Sequence, residues 1–137
     1  AWLRELLSDP RVFAARVRSE MHLLVRALSR RDWEDAAERV WQPAENAEDT
    51  AEAAWTPERF EAALAPFFEE HAELLAGPES RLHQWTSLMP AGPRQWTVTQ
   101  TLLDPEEDNA WAVFAGIDLR DETAPDGPIL RLTRIGT

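Results

Sequence analysis

The sequence predicts an α+β domain, three N-terminal helices packed on one face of a four-stranded antiparallel sheet. Apolar residues recur at helical intervals as far as Leu75, and near Arg81 the period changes to two. The connections between the later segments are short, which favours antiparallel neighbours in a meander. An apolar fraction of 44%, with seven Trp and five Phe in 137 residues, supplies enough large side chains for one packed core.

The elements follow in order. Residues 1–7, AWLRELL, carry apolar positions at helical spacing and read as the end of a connector. Residues 1–9 are therefore assigned to a connector from an upstream region, and 10–137 to a single domain. Asp9 and Pro10 supply an N-cap and a first helical residue. Phe13, Val17, Met21, Leu24 and Leu28 then form one stripe. Asp32 caps a shorter helix carrying Trp33, Ala36, Ala37, Val40 and Trp41, which Pro43 ends. The acidic stretch 44–54 reads as a loop. Thr56 and Pro57 open a third helix with Phe60, Leu64, Phe67, Phe68, Leu74 and Leu75 on its apolar face. Pro66 predicts a kink or a break in it, and Gly77-Pro78 its end.

Segments 81–89, 94–103, 110–120 and 129–135 are rich in Trp, Val, Thr, Ile and Leu and read as strands. Trp96, Val98 and Leu102 share one face, as do Trp111, Val113, Ile117 and Leu119. Gln100 is the polar residue of that inner face. Phe13, Met21, Leu24, Phe67, Trp96, Trp111 and Val113 are expected to be largely buried. The outer face should carry Thr97, Thr99, Thr101, Phe114, Arg131 and Thr133. Parity with Phe114 turns Asp118 outward, and a register slipped by one would bring it inside.

Composition excludes several classes. Without cysteine there is neither a disulfide nor a thiolate metal site, which fits a reducing cytoplasm. No apolar run is long enough to span a membrane. All 14 basic residues are Arg against 25 acidic ones, a net charge of −11, so a phosphate backbone would be repelled unless the arginines cluster. Arg16, Arg18, Arg26, Arg30, Arg31 and Arg39 concentrate on the first two helices and read as a solvated face, with a nucleic-acid patch as the alternative. With no Lys there is no Walker A loop, so this domain by itself is not an ATPase.

Helices over a curved sheet, joined through the turn Arg31-Asp32-Trp33, resemble the cone-like fold of the nuclear transport factor two-like superfamily. More narrowly, VRSEMHLLVRALSRRDWEDAA, WTPERFEAALAPFFEE, LLDPEEDNAWAVFAGIDLRD and PDGPILRLTRIGT resemble the C-terminal domain of unknown function of a set of bacterial DEAD/DEAH-box helicases. The resemblance implies an ATP-dependent helicase motor upstream and a cytoplasmic, non-catalytic accessory domain here. Its partners would be the upstream helicase domains or a second copy. It transfers no catalytic residue and implies no cofactor.

Candidate chemistry is sparse. His22, His71 and His83 lack metalloprotease spacing. They read as surface or capped residues, with a site built from His22, His71 and a carboxylate as the sharper alternative. Asp104, Glu106 and Asp108 alternate as in a calcium loop, but Asn109 stands where such a loop needs Gly, so a solvated hairpin loop is expected. Relatives of the cone fold hold small molecules between helices and sheet, and some are isomerases or dehydratases. A free-standing small-molecule binder or enzyme is thus the alternative function. No nucleophile–base pair can be assigned to it.

Overall fold

The computed structural model of the chain describes residues 6–44, 54–120 and 127–137. The connector reading of residues 1–5, the loop reading of 45–53 and the connection over 121–126 lie outside the described residues. Leu6, placed by sequence in the connector, is buried with the core.

Helix α1 spans Pro10–Ser29, and Asp9 caps it by accepting from the Arg11 N–H at 2.9 Å. Its stripe from Phe13 to Leu28 is buried as the spacing requires. Arg31 takes a left-handed φ of 55°, which turns the chain sharply at the helix end. Asp32 then caps α2, Trp33–Glu38, through the Asp35 N–H at 3.1 Å. Val40 and Trp41, expected within α2, lie beyond it. The Trp41 N–H instead donates to the Leu130 carbonyl at 2.8 Å. Helix α3 spans Pro57–Glu70, with Thr56 Oγ1 accepting from the Arg59 N–H at 3.1 Å.

The structure decides two points in the sequence reading of the third helix. Of the kink or break expected at Pro66, the break does not occur: the helix is continuous, and Ala62 and Pro66 are both exposed, so the carbonyl deprived of its donor is open to water. It also ends at His71 and not at Gly77-Pro78. The chain there becomes extended, and Leu75 forms a bridge to Leu103, its N–H donating to the Leu103 carbonyl at 2.9 Å. Leu74 and Leu75 therefore pack from a sheet-edge segment.

The four strands are β1 Thr86–Gly92, β2 Gln95–Leu102, β3 Trp111–Asp118 and β4 Arg131–Gly136, in meander order β1-β2-β3-β4, all neighbours antiparallel. The first strand is displaced from the expected 81–89. Pro78–Arg81 and His83–Trp85 form 3₁₀ turns, held by i→i+3 bonds such as Trp85 N–H to Leu82 O at 3.0 Å. Pro90, Ala91 and Gly92, expected in the connection, belong to β1. The strand lies at the sheet edge, where Pro is tolerated, and a register shift sits between Pro90 and Gly92.

The inner face carries Val98, Leu102, Val113, Ala115 and Ile117, all buried. The described helices cover this face. Phe13 meets Trp96 at 4.4 Å between ring centroids, Phe67 meets Trp111 at 5.6 Å, and Trp55 Nε1 donates to the Leu132 carbonyl at 3.1 Å. Glu20 ties α1 to the approach to β4, accepting from the Ile129 N–H at 2.8 Å while its other oxygen pairs with Arg16 at 2.7 Å. Of the seven residues expected to be largely buried, Trp96 alone is only half-buried. It lies opposite Pro90 and Ile117 near the β1–β2 turn.

Candidate functional site

The outer face is built by strand register. Met89 lies opposite Thr97, Ser87 opposite Thr99, Thr99 opposite Phe114, and Thr101 opposite Ala112. Arg131 faces Gly116 and Arg134 faces Phe114, with a register shift between Phe114 and Ala115. That bulge accommodates Thr133, which is exposed. Phe114 is half-buried beneath the guanidinium of Arg134, 3.9 Å from its ring centroid, and Arg131 lies 4.0 Å over Trp41. Met89 is 57% exposed on the same face and was not singled out in the sequence. Asp118 also lies on it. Hydrogen bonds from the Arg120 guanidinium and backbone N–H hold its carboxyl at about 2. That makes it a poor proton acceptor near neutrality.

A second constellation revises one sequence expectation. His71 is not a surface histidine, while the loop after β2 is exposed from Pro105 to Asp108 as expected, around a buried Asp104. His71 and Asp104 are 3% and 2% exposed. Asp104 folds the loop around itself, with Oδ1 accepting from the Asp108 N–H and Oδ2 from the Asn109 N–H, both at 3.0 Å. Glu107 and Asn109 take left-handed φ of 60° and 51° to allow this. The loop so shaped closes over the end of α3. His71 Nδ1 lies 2.5 Å from Glu106 Oε1 and 3.6 Å from Asp104 Oδ1, and Nε2 lies 3.7 Å from Glu70 and 3.9 Å from Asp108. Phe67 packs beside the imidazole at 4.9 Å, and Trp111 Nε1 donates to Glu70 at 3.2 Å.

The electrostatics of this cluster are coupled. The hydrogen bond to Glu106 raises the His71 pKa. Burial opposes it, and the charges of Asp104, Glu106 and Asp108 reinforce it. Burial pushes Asp104 upward, but the N–H donors of Asp108 and Asn109, with His71, outweigh it and hold Asp104 below its ordinary value. One nitrogen and two carboxylate oxygens from His71, Asp104 and Glu106 lie within 4.8 Å of one another, a donor set suited to a divalent cation. The same atoms are already committed to hydrogen bonds, so the geometry is that of an ionic clamp joining α3 to the β2–β3 loop.

His22 is not in this cluster. It lies on α1 beside Arg18 and Arg81, lining a separate cavity with Gln100, while His83 is exposed in a 3₁₀ turn. No described helix is long and apolar enough to cross a membrane.

A family model matches residues 2–135, nearly the whole chain. Its description is domain of unknown function (DUF3516). The chain belongs to this family. No curated protein and no solved structure matches the chain. For this DUF3516 domain the α+β fold and the sites above therefore come from its own residues.

Proposed function

We propose that this chain is a non-catalytic C-terminal accessory domain of a bacterial DEAD/DEAH-box helicase. It works in the cytoplasm and docks through the outer face of its sheet. The observation that carries the reading is the composition of that face. The described helices pack on the other side, while this one presents Met89, Phe114, the threonines and the arginines. Such a mixture of apolar and polar side chains suits a non-obligate interface. The resemblance of four sequence segments to helicase C-terminal domains supplies the partner, the motor domains of the same parent chain. A net charge of −11 on each copy opposes self-association and favours the motor as occupant. The same charge disfavours direct contact with duplex nucleic acid.

The test is titration of the purified domain with the purified motor region, together with the solution mass of the domain alone. The wild type should bind the motor and remain monomeric alone. Phe114→Glu should fold and lose at least about tenfold in affinity. Unchanged association in a folded Phe114→Glu variant would remove this face as the docking surface. A dimer dispersed by that substitution would reassign it to a second copy.

A further inference from the structure

A cavity of about 250 Å³ opens between α1 and the start of the sheet, lined by Arg18, Ser19 and His22 from α1, by Ser80 and Arg81, and by Gln100 from the inner face of β2. Among the described residues no carboxylate lines it, although acidic residues outnumber basic ones 25 to 14 in the chain. Its polar wall consists of two guanidiniums, an imidazole, an amide and hydroxyls. Sequence reasoning placed Arg18 on a solvated helix face, but its Nε is buried without a hydrogen-bond partner. A buried donor left unpaired is costly and uncommon.

The helix sequence explains why Arg18 has no internal partner. Arg16 and Arg39 reach carboxylates one turn away, Glu20 at 2.7 Å and Asp35 at 3.0 Å. The residues three and four away from Arg18 are Ala14, Ala15, Met21 and His22, none of them anionic. Opposite it, the Gln100 carbonyl is occupied by Thr86 Oγ1 at 2.5 Å, so Gln100 is oriented with its amide nitrogen toward Ser80, 3.4 Å from the Ser80 carbonyl. Burial, Arg81 and Arg26 each lower the His22 pKa, so the cavity is locally electropositive in an acidic protein.

We propose that this cavity binds a small free oxyanion, a compact phosphate- or carboxylate-bearing metabolite, held by the guanidiniums of Arg18 and Arg81. A planar fork of N–H donors matches either group, and the two guanidiniums on the cavity wall supply such forks. The volume lies below the roughly 300–1,000 Å³ of sites for drug-sized ligands, so the ligand is smaller than a nucleotide. The site is independent of the docking face, and its occupancy does not depend on the helicase reading.

The experiment is calorimetric titration of the intact domain with inorganic phosphate, pyrophosphate and succinate, at ionic strength held constant with sodium chloride. The proteins are the wild type, Arg18→Gln, Arg81→Gln and Arg11→Gln. Melting curves check that each folds. At least one probe should bind saturably to the wild type and to Arg11→Gln, with a loss of about tenfold or more in each of the other two variants. Binding of phosphate or pyrophosphate alone identifies a phosphate-bearing ligand, and binding of succinate alone a carboxylate-bearing one. The proposal is overturned if no probe binds saturably in the millimolar range. It is equally overturned if binding is unchanged when Arg81, which is exposed, is replaced in a variant that folds.

Discussion

Truncating Phe67 to Ala tests the packing that positions the α3 end of the molecule. The ring is fully buried and contacts three aromatic groups: Phe68 at 5.2 Å, Trp111 at 5.6 Å and the His71 imidazole at 4.9 Å. Loss of a buried Phe ring costs about 3–5 kcal/mol, as lost transfer energy plus an unrelaxed cavity. The upper half of that range applies here. The cavity would be walled by Trp111 on the sheet and by His71 at the helix end, and neither can collapse inward without breaking its own hydrogen bonds. Phe68, half-buried between Trp33 and the Arg31 guanidinium, is the internal comparison, and its truncation should cost only about 1–2 kcal/mol. Urea titration followed by far-UV circular dichroism reads both. Phe67→Ala should lower the midpoint well beyond Phe68→Ala, with the slope unchanged. Equal shifts, or a midpoint for Phe67→Ala that barely moves, would refute the placement of this ring at the junction.

The His71 clamp predicts a pH signature. A raised His71 pKa contributes stability that is complete below about 6.5, its unfolded value, and is lost as pH rises through the folded value. The lowered Asp104 pKa contributes stability present above about 3.9, lost as pH falls through its folded value. The urea midpoint difference between wild type and His71→Gln should therefore be largest in mildly acidic buffer and shrink toward alkaline pH. A difference that does not vary with pH would show that His71 acts by packing alone. Replacing Asp104 by Asn, which leaves one loop N–H of Asp108 or Asn109 without an acceptor, should destabilise by about 1–3 kcal/mol in equilibrium unfolding. The purified domain should hydrolyse no ATP above background, since it has no Lys to reach the phosphates; sustained phosphate release by pure protein would contradict this.

Local sequence chemistry determined much of the fold. Asp9, Asp32 and Thr56 cap the three helices they were expected to cap, because capping needs only a side-chain oxygen and N–H groups two or three residues ahead. Alternation in β2 and β3 fixed which side chains face the helices, because one face must be buried and a one-residue slip would expose it. The candidate sites were less legible. His71 and Asp104 are separated by 33 residues, and each is unremarkable in its own segment. They meet because α3 ends early, Leu75 bridges Leu103, and the Asp104 loop closes over the helix end. Arg18 looked like one more solvated arginine until the folded structure buried its Nε. The sequence thus determined by itself the helix starts, the strand faces and the acidic balance, all set by neighbours a few residues away. Only tertiary structure decided which polar groups lose water and which partners, distant in the chain, replace it.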